Sequence, residues 1–331
     1  MDRQAFLKRH SDLKHLYQRV QNCESWFLSP DDLQGLGIHA FQVGITENGI
    51  LQFHPCFFRP HPERILQKYA LNPSQYMPEL NYRPNLDSIF KRIVEEHPDL
   101  ENPFKVAMRR YESDVDVSCR LDEWSIRARE IQDHIERQMK ARRRGRPIGG
   151  SLYEFGTLDL QRTKVKRGDP PTYEIGLAGP HWEIKCFLED NDEISPMPHA
   201  ILSTVAHVPA NYADQNLTLH EIRAIVNVML IRTSHRPFSS HPVHPVLILS
   251  YTGQKHGRII QASLDGDNFV IQYSQLWSFL DDDTAPVELF VRYNISQLVG
   301  MGSPFPGGRS LGDSMASMHL NERSGTETRF G

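Results

Sequence analysis

Two apolar segments joined by a capped helix constrain the fold of this chain more than any other feature. Segments 200–208 and 245–251 are apolar at successive positions, as strands are when both faces of their sheet are buried. Between them, Thr218 and Glu221 form a capping box, in which each side chain satisfies a backbone amide at the start of a helix. The helix predicted over 217–233 therefore joins two parallel, neighbouring strands through a right-handed crossover.

The segments around this unit predict an α+β fold with a mixed sheet. Further strands are predicted at 152–159, 173–177, 182–189, 258–264 and 269–273. A last helix, 287–299, is predicted to close the core. Together these elements make 151–300 the predicted core domain. A chain of 331 residues allows about two units.

The first 145 residues are predicted to form a mainly helical region. Helices are predicted over 13–20, from Ser29, over 86–94 and over 122–144, with a small hairpin inside 38–58 around Asn48-Gly49. The basic run Lys140–Arg146 leads into Pro147–Gly150, which we take as the boundary to the core domain. We interpret this run as a solvated helix end whose charge suits the helix dipole, with a nuclear-import signal as the functional alternative. Residues 301–331 are predicted to be a disordered tail.

Composition limits the classes of partner. Lys and Arg number 37 against 41 Asp and Glu, a net charge of −4, so no basic field gathers nucleic acid. A protein partner or a small molecule is therefore favoured over nucleic acid. The four cysteines form no Cys-x-x-Cys pair, and no apolar run reaches the roughly 20 residues of a spanning helix. No glycine-rich nucleotide loop indicates a cofactor. The expected location is cytoplasmic or nuclear.

One motif suggests an enzyme. Glu183-Ile-Lys185 on a strand, with Asp169 upstream, resembles the metal site of restriction-endonuclease-like nucleases, where two carboxylates hold magnesium and a lysine poises water. Simple alternation along the strand explains the same residues, with Trp182, Ile184, Cys186 and Leu188 on one face and the charged residues on the wet face. We favour that explanation. A metal-dependent nuclease or phosphoesterase, degenerate or active, stays the alternative function.

Three histidines fall within one Pro-rich loop. His235, His241 and His244 invite a metal interpretation, yet no predicted helix or strand orders them and no acid lies among them. A polar turn region is the preferred interpretation. The sequence therefore predicts no metal site.

The predicted topology suggests one binding region. If 200–208 and 245–251 are parallel neighbours, their carboxyl ends and the start of the 217–233 helix share one edge, where open α/β sheets bind ligands. Five candidate ligand-binding residues then lie together: His207, His220, Tyr251, Lys255 and His256. The leading interpretation is a non-catalytic binding, interaction or accessory protein. No catalytic residue is assigned.

The pattern of the core segment also resembles a known group of sequences. Glu221-Ile-Arg-Ala224, Pro245-Val-Leu-Ile-Leu-Ser250 and His256-Gly-Arg-Ile-Ile-Gln-Ala262 look like a family of uncharacterised proteins from filamentous fungi, over roughly residues 180–300. The resemblance implies an intracellular fungal protein, with a link to a secondary-metabolite pathway as context. No residue takes a role from it.

Overall fold

A mixed β-sheet of nine described strands runs through the computed structural model. The structure describes residues 3–72, 117–144, 150–155, 159–161, 178–179, 181–190, 197–208, 215–234, 238, 241–253, 255–265 and 268–299. These residues belong to one compact unit, Met1–Val299. The predicted helix 86–94, the predicted strand 173–177 and the predicted tail 301–331 lie outside them.

The strand order explains how distant segments meet. The strands are β1 (Phe27–Leu28), β2 (Ile38–Gln42), β3 (Phe58–Arg59), β4 (Asp159–Gln161), β5 (Ala178–Gly179), β6 (Trp182–Glu189), β7 (Ala200–Ala206), β8 (Leu217–Thr218), β9 (Val246–Thr252), β10 (His256–Asp265), β11 (Asn268–Tyr273), β12 (Trp277–Ser278) and β13 (Gln297–Leu298). The main sheet has the order β2-β11-β10-β9-β7-β6-β4, and β12 pairs with β10 and β5 with β6. The pairs β1–β8 and β3–β13 lie outside it. Parallel and antiparallel pairs both occur, so the predicted mixed α+β fold is confirmed.

The central prediction of two parallel neighbours is confirmed. β7 and β9 pair in parallel along their whole length, from Ala200 opposite Val246 to Ala206 opposite Thr252. Every residue of both strands is buried, as their apolar sequences predict. Their carboxyl ends therefore lie at one edge of the sheet.

Helices cover both faces of this sheet. The described α-helices are α1 (Arg3–Gln21), α2 (Pro30–Gly35), α3 (Arg64–Lys68), α4 (Val117–Lys140), α5 (Leu219–Ser234) and α6 (Val287–Asn294). α5 and α1 build one apolar core with the sheet, and α4 and α6 build a second core on the opposite face. None of the described helices has both the length and the apolar character that crossing a bilayer requires.

The capping box predicted at the start of α5 is present. The Thr218 N–H donates to Glu221 Oε2 at 2.7 Å, and the Glu221 N–H donates to Thr218 Oγ1 at 3.1 Å. The helix is buried on almost every side, because α1 packs on the surface that the sheet leaves uncovered. The sequence predicted only one buried face of α5.

The helix start predicted at Ser29 is also confirmed. The Ser29 N–H donates to Asp32 Oδ2 at 2.9 Å and the Asp32 N–H donates to Ser29 Oγ at 3.2 Å, with Pro30 in the first turn. The hairpin predicted inside 38–58 is reduced to one bridge, Ile45 opposite Leu51, around a turn at Gly49. β2 pairs instead in parallel with β11 of the main sheet.

Two further predicted elements differ from the structure. Residues 152–155, predicted as part of a strand, form a 3₁₀-helix. Leu152 and Phe155 are three residues apart, so one side of a 3₁₀-helix turns both toward the same core. The helix predicted over 287–299 ends at Asn294, and Gln297–Leu298 then pair with β3.

Candidate functional site

The structure brings two of the five predicted ligand-binding residues together. His207 follows β7 and His220 is the second residue of α5, at the shared edge of the sheet. Tyr251 lies instead in the core, with its ring centroid 5.7 Å from that of Phe290. Its place follows from strand alternation, which puts Tyr251 on the face of the sheet covered by α4 and α6.

The other two predicted residues lie on opposite faces. Lys255 is buried in the β9–β10 turn and its Nζ lies 3.4 Å from Glu130 Oε2 of α4. His256 is two residues before Arg258, whose guanidinium reaches Glu221 of α5, so His256 belongs to the α5 face. The topology brings the backbones of these residues to one edge of the sheet. Because side chains alternate along a strand, the position of each residue in its strand decides on which face its side chain lies.

A different group of side chains surrounds His207 and His220. We call Trp26, Trp124, His181, His207 and His220 the imidazole rim. The His181 and His220 ring centroids are 6.3 Å apart, and the Trp26 centroid is 6.3 Å from that of His181 and 6.4 Å from that of Trp124. Five separate segments of the chain contribute to it.

Backbone hydrogen bonds fix the imidazole rim to the sheet and to α5. The His207 N–H donates to the His181 carbonyl at 2.8 Å, and the Leu219 N–H donates to the Trp26 carbonyl at 2.9 Å. The His207 ring is held by a hydrogen bond of 3.0 Å between its Nε2 and Ser125 Oγ of α4. The rim is therefore built on regular elements rather than on one loop.

His220 is the most unusual member of the rim. Its side chain is 5 % exposed, yet neither ring nitrogen has a hydrogen-bond partner among the described residues. Burial, and after it the charges of Arg223, His181 and His207, lower the pKa of His220 to about 3. The imidazole is therefore neutral at physiological pH and keeps one donor and one acceptor.

His207 is held neutral by a similar environment. Burial lowers the pKa of His207, the Arg129 charge lowers it further, and the Glu183 carboxylate opposes both. The lowered pKa values of His207 and His220 favour the neutral imidazole, and both rings belong to the rim with two indole rings. Trp26 is 37 % exposed and gives the rim an aromatic surface in contact with solvent.

Gly253 sets the position of Trp124. A Cβ at residue 253 would lie 2.5 Å from Trp124 Cβ and 2.8 Å from the Val208 carbonyl oxygen. The absence of a side chain therefore lets the indole pack directly on the carboxyl end of β9. The sequence shows Gly253 only as part of a turn.

Replacing Gly253 with alanine is expected to displace Trp124 and to destabilise the protein by about 1–3 kcal/mol, the usual cost of overpacking. Urea unfolding measures the loss, and a shift in tryptophan emission reports the displaced ring. Gly35→Ala is the matched control, because a Cβ there meets no atom within 4 Å. Equal stability of the two variants would contradict the close packing of Trp124.

The Glu183-Ile-Lys185 motif forms ion pairs at the border of the rim. Glu183 Oε1 lies 2.8 Å from Lys185 Nζ and 2.8 Å from Arg129 Nη2. Partial burial opposes ionisation of Glu183, but hydrogen bonds from Lys185 and Arg129 prevail and lower its pKa. Asp169 lies outside the described residues.

The alternation predicted for this strand is wrong beyond Ile184. The register of β6 against β7 shifts between Ile184 and Cys186, so Lys185 is the extra residue of a bulge. Trp182 and Ile184 belong to the core of α1 and α5, while Cys186 and Leu188 belong to the opposite core. After the bulge, each side chain of β6 lies on the face opposite to the one that simple alternation predicts. The apolar pattern of the sequence contains no signal for the bulge.

The described residues of the basic run and of the histidine-rich loop make contacts with other parts of the fold. The described part of the basic run, Lys140–Arg144, pairs with another segment of the backbone. Arg143 forms an antiparallel β-bridge with Leu71, and the Arg144 N–H donates to the Ala70 carbonyl at 2.9 Å. His244 is buried, with its Nε2 2.9 Å from the Phe238 carbonyl oxygen, whereas His235 lies outside the described residues. Within the described ranges, no group of three or more His, Cys, Asp or Glu side chains is placed to hold a metal ion.

Two cavities lie away from the imidazole rim. One, of about 230 Å³, lies between α1 and the ends of β10 and β11, where Leu13, Leu36 and Phe269 line it. The other, of about 270 Å³, lies between α3, α4 and α6, and Arg143 lines it. Sequence reasoning pointed to neither, because their walls combine segments that are far apart in the chain.

Comparison of this chain with family models, with curated proteins and with solved structures finds no match.

Proposed function

We propose that this protein is a non-catalytic binding protein that holds a small, planar, uncharged ligand at the imidazole rim. The observation that carries the proposal is His220, a buried imidazole whose two nitrogens lack a partner among the described residues. Leaving a buried polar group unpaired costs about 1–3 kcal/mol, and proteins keep such costs mainly at functional sites. A ligand that hydrogen-bonds His220 recovers part of this free energy.

The chemistry of the rim supports a planar and uncharged ligand. The indole of Trp26 is partly exposed and offers an aromatic surface on which a flat ring stacks. An anion gains little here, because the Glu221 carboxylate already occupies the positive end of the α5 dipole. A cation is disfavoured by the nearby charges of Arg223 and Arg129, which act on His220 and His207.

The alternative of a metal-dependent nuclease has less support. The Glu183 carboxylate is compensated by Lys185 and Arg129, so a magnesium ion would have to displace two cations. Incubation with DNA and RNA in the presence of magnesium or manganese tests this alternative. Cleavage that disappears in Lys185→Ala would favour the nuclease over the binding protein.

Fluorescence titration with nicotinamide tests the proposed function. Two of the four tryptophans lie in the rim, so we expect saturable quenching by nicotinamide and none by cyclohexanecarboxamide, which has a similar size but no flat ring. His220→Phe is expected to weaken binding about fivefold, which corresponds to one lost hydrogen bond.

Trp277→Phe is the matched control for this titration, because that indole packs against Phe290 away from the rim. It should leave the affinity unchanged, whereas Trp26→Ala should abolish the quenching. Saturable quenching with unchanged affinity in both Trp26→Ala and His220→Phe would place the binding site elsewhere. Absence of any quenching by nicotinamide or by adenine, a second planar probe, would refute the proposed ligand class.

A further inference from the structure

The cavity between α3, α4 and α6 combines a buried cation with apolar walls. We call this cavity, of about 270 Å³, the Arg143 pocket. Its apolar walls come from Leu66, Leu71, Val287 and Val291, and Glu288 also lines it. Ligand sites typically have this character, with mostly apolar walls and a few polar groups. The volume is below the roughly 300–1,000 Å³ of sites for drug-sized molecules, so a smaller ligand fits.

Arg143 brings an incompletely satisfied guanidinium to this pocket. Its side chain is 8 % exposed, and Nη2 donates to the Gln138 carbonyl at 2.5 Å. Nε has no hydrogen-bond partner among the described residues. Burial lowers the pKa of Arg143, and the Glu288 charge acts in the opposite direction. A buried guanidinium N–H of this kind calls for an anionic partner, and carboxylates match the fork of the guanidinium group.

Glu288 supplies a charge of opposite sign on the solvent side. Its side chain is exposed in the first turn of α6, whereas Arg143 is buried, so the two charges lie at different depths. Within the described part of the chain they form no direct ion pair with each other. The pocket is thus cationic inside, anionic at its exposed end and apolar along its walls.

We propose that the Arg143 pocket binds an apolar α-amino acid as its zwitterion. The carboxylate accepts hydrogen bonds from the Arg143 guanidinium, and the ammonium group faces the Glu288 carboxylate. The aliphatic side chain packs on Leu66 and Val291. A ligand with only a carboxylate would leave the Glu288 charge without a partner. A ligand with only an ammonium group would place a second positive charge beside Arg143.

Isothermal titration calorimetry with L-leucine tests this proposal. Two analogues of L-leucine separate the contributions of its charged groups: 4-methylpentanoate lacks the ammonium group, and 3-methylbutylamine lacks the carboxylate. We expect saturable binding of L-leucine, binding of 4-methylpentanoate about threefold weaker, as expected for an exposed ion pair, and no measurable binding of the amine. The gap between L-leucine and 4-methylpentanoate should narrow in high salt, which screens Glu288.

Variants assign the contacts. Arg143→Gln is expected to weaken L-leucine binding about thirtyfold or more, because it removes one partner of a buried charge pair. Arg142→Gln is the matched control, since the neighbouring side chain is exposed and should leave affinity unchanged. Leu66→Trp fills the pocket from a half-buried position and should abolish binding even if Arg143→Gln fails to fold.

The outcomes separate this pocket from the imidazole rim. Trp26→Ala should leave L-leucine binding unchanged, so failure at the rim does not count against the pocket. If L-leucine gives no heat of binding with the folded wild-type protein, the proposal is wrong. Equal affinities for L-leucine and 4-methylpentanoate overturn the role of Glu288, and full affinity in both Arg143→Gln and Leu66→Trp overturns the assignment of the site.

Discussion

Replacing Arg258 with methionine is expected to destabilise the protein by about 3–5 kcal/mol, the usual cost of breaking a buried ion pair. Arg258 Nε lies 3.2 Å from Glu221 Oε1, and each side chain is 1 % exposed. The same guanidinium donates to the carbonyls of Gln215 at 2.9 Å and Asn216 at 3.0 Å. The variant therefore leaves a buried carboxylate without its cation and removes the donors to two carbonyl groups just before β8.

Urea unfolding of a set of variants tests this expectation. Arg129→Met is the matched control, because its ion pair with Glu183 is partly exposed and should contribute less than about 1 kcal/mol. The double variant Arg258→Met/Glu221→Gln should be more stable than the sum of the two single variants predicts, because each single variant leaves one buried charge unpaired and the double variant leaves none. A loss below 1 kcal/mol in Arg258→Met would show that the pair does not hold α5 to β10.

The crossover unit was predictable because its signals are local. The capping box of Thr218 and Glu221 marks the start of α5 within four residues, and the unbroken apolar runs mark two inner strands. The parallel pairing of β2 with β11 was not predictable in the same way. Its partners are more than 200 residues apart, and no local pattern in Ile38–Gln42 identifies the strand beside it.

The candidate site was only partly predictable for the same reason. His207 and His220 lie next to the two elements that define the edge, so the topology places them there. Trp26 and His181 reach the rim because they precede β1 and β6, which pair with β8 and β7, and no local sequence pattern identifies these partners. Tyr251 shows the other limit, because the sequence gives the alternation along β9 but not which face meets which helices.

Lowering the pH from 7 to 5 is expected to destabilise the protein by roughly 5 kcal/mol, through three buried histidines. Burial lowers the pKa of His199 to about 4, that of His220 to about 3 and that of His244 to about 4. In the unfolded chain the same groups titrate near 6.5. The folded state therefore binds fewer protons, and its stability is fully present above pH 6.5 and falls as the pH decreases toward 4.

Urea unfolding between pH 7 and pH 5 measures this loss, at up to about 1.4 kcal/mol per pH unit for each histidine. Carboxylates such as Glu183, whose pKa is lowered, keep their charge in this range and lose their contribution only at more acidic pH.

His244→Gln keeps a donor for the Phe238 carbonyl and should remove about one third of the pH dependence. His39→Gln, at an exposed position, should leave the dependence unchanged. Constant stability from pH 7 to pH 5 would mean that these histidines accept protons in the folded protein. His220 would then be protonated at pH 5 and would offer a ligand no neutral imidazole at that pH.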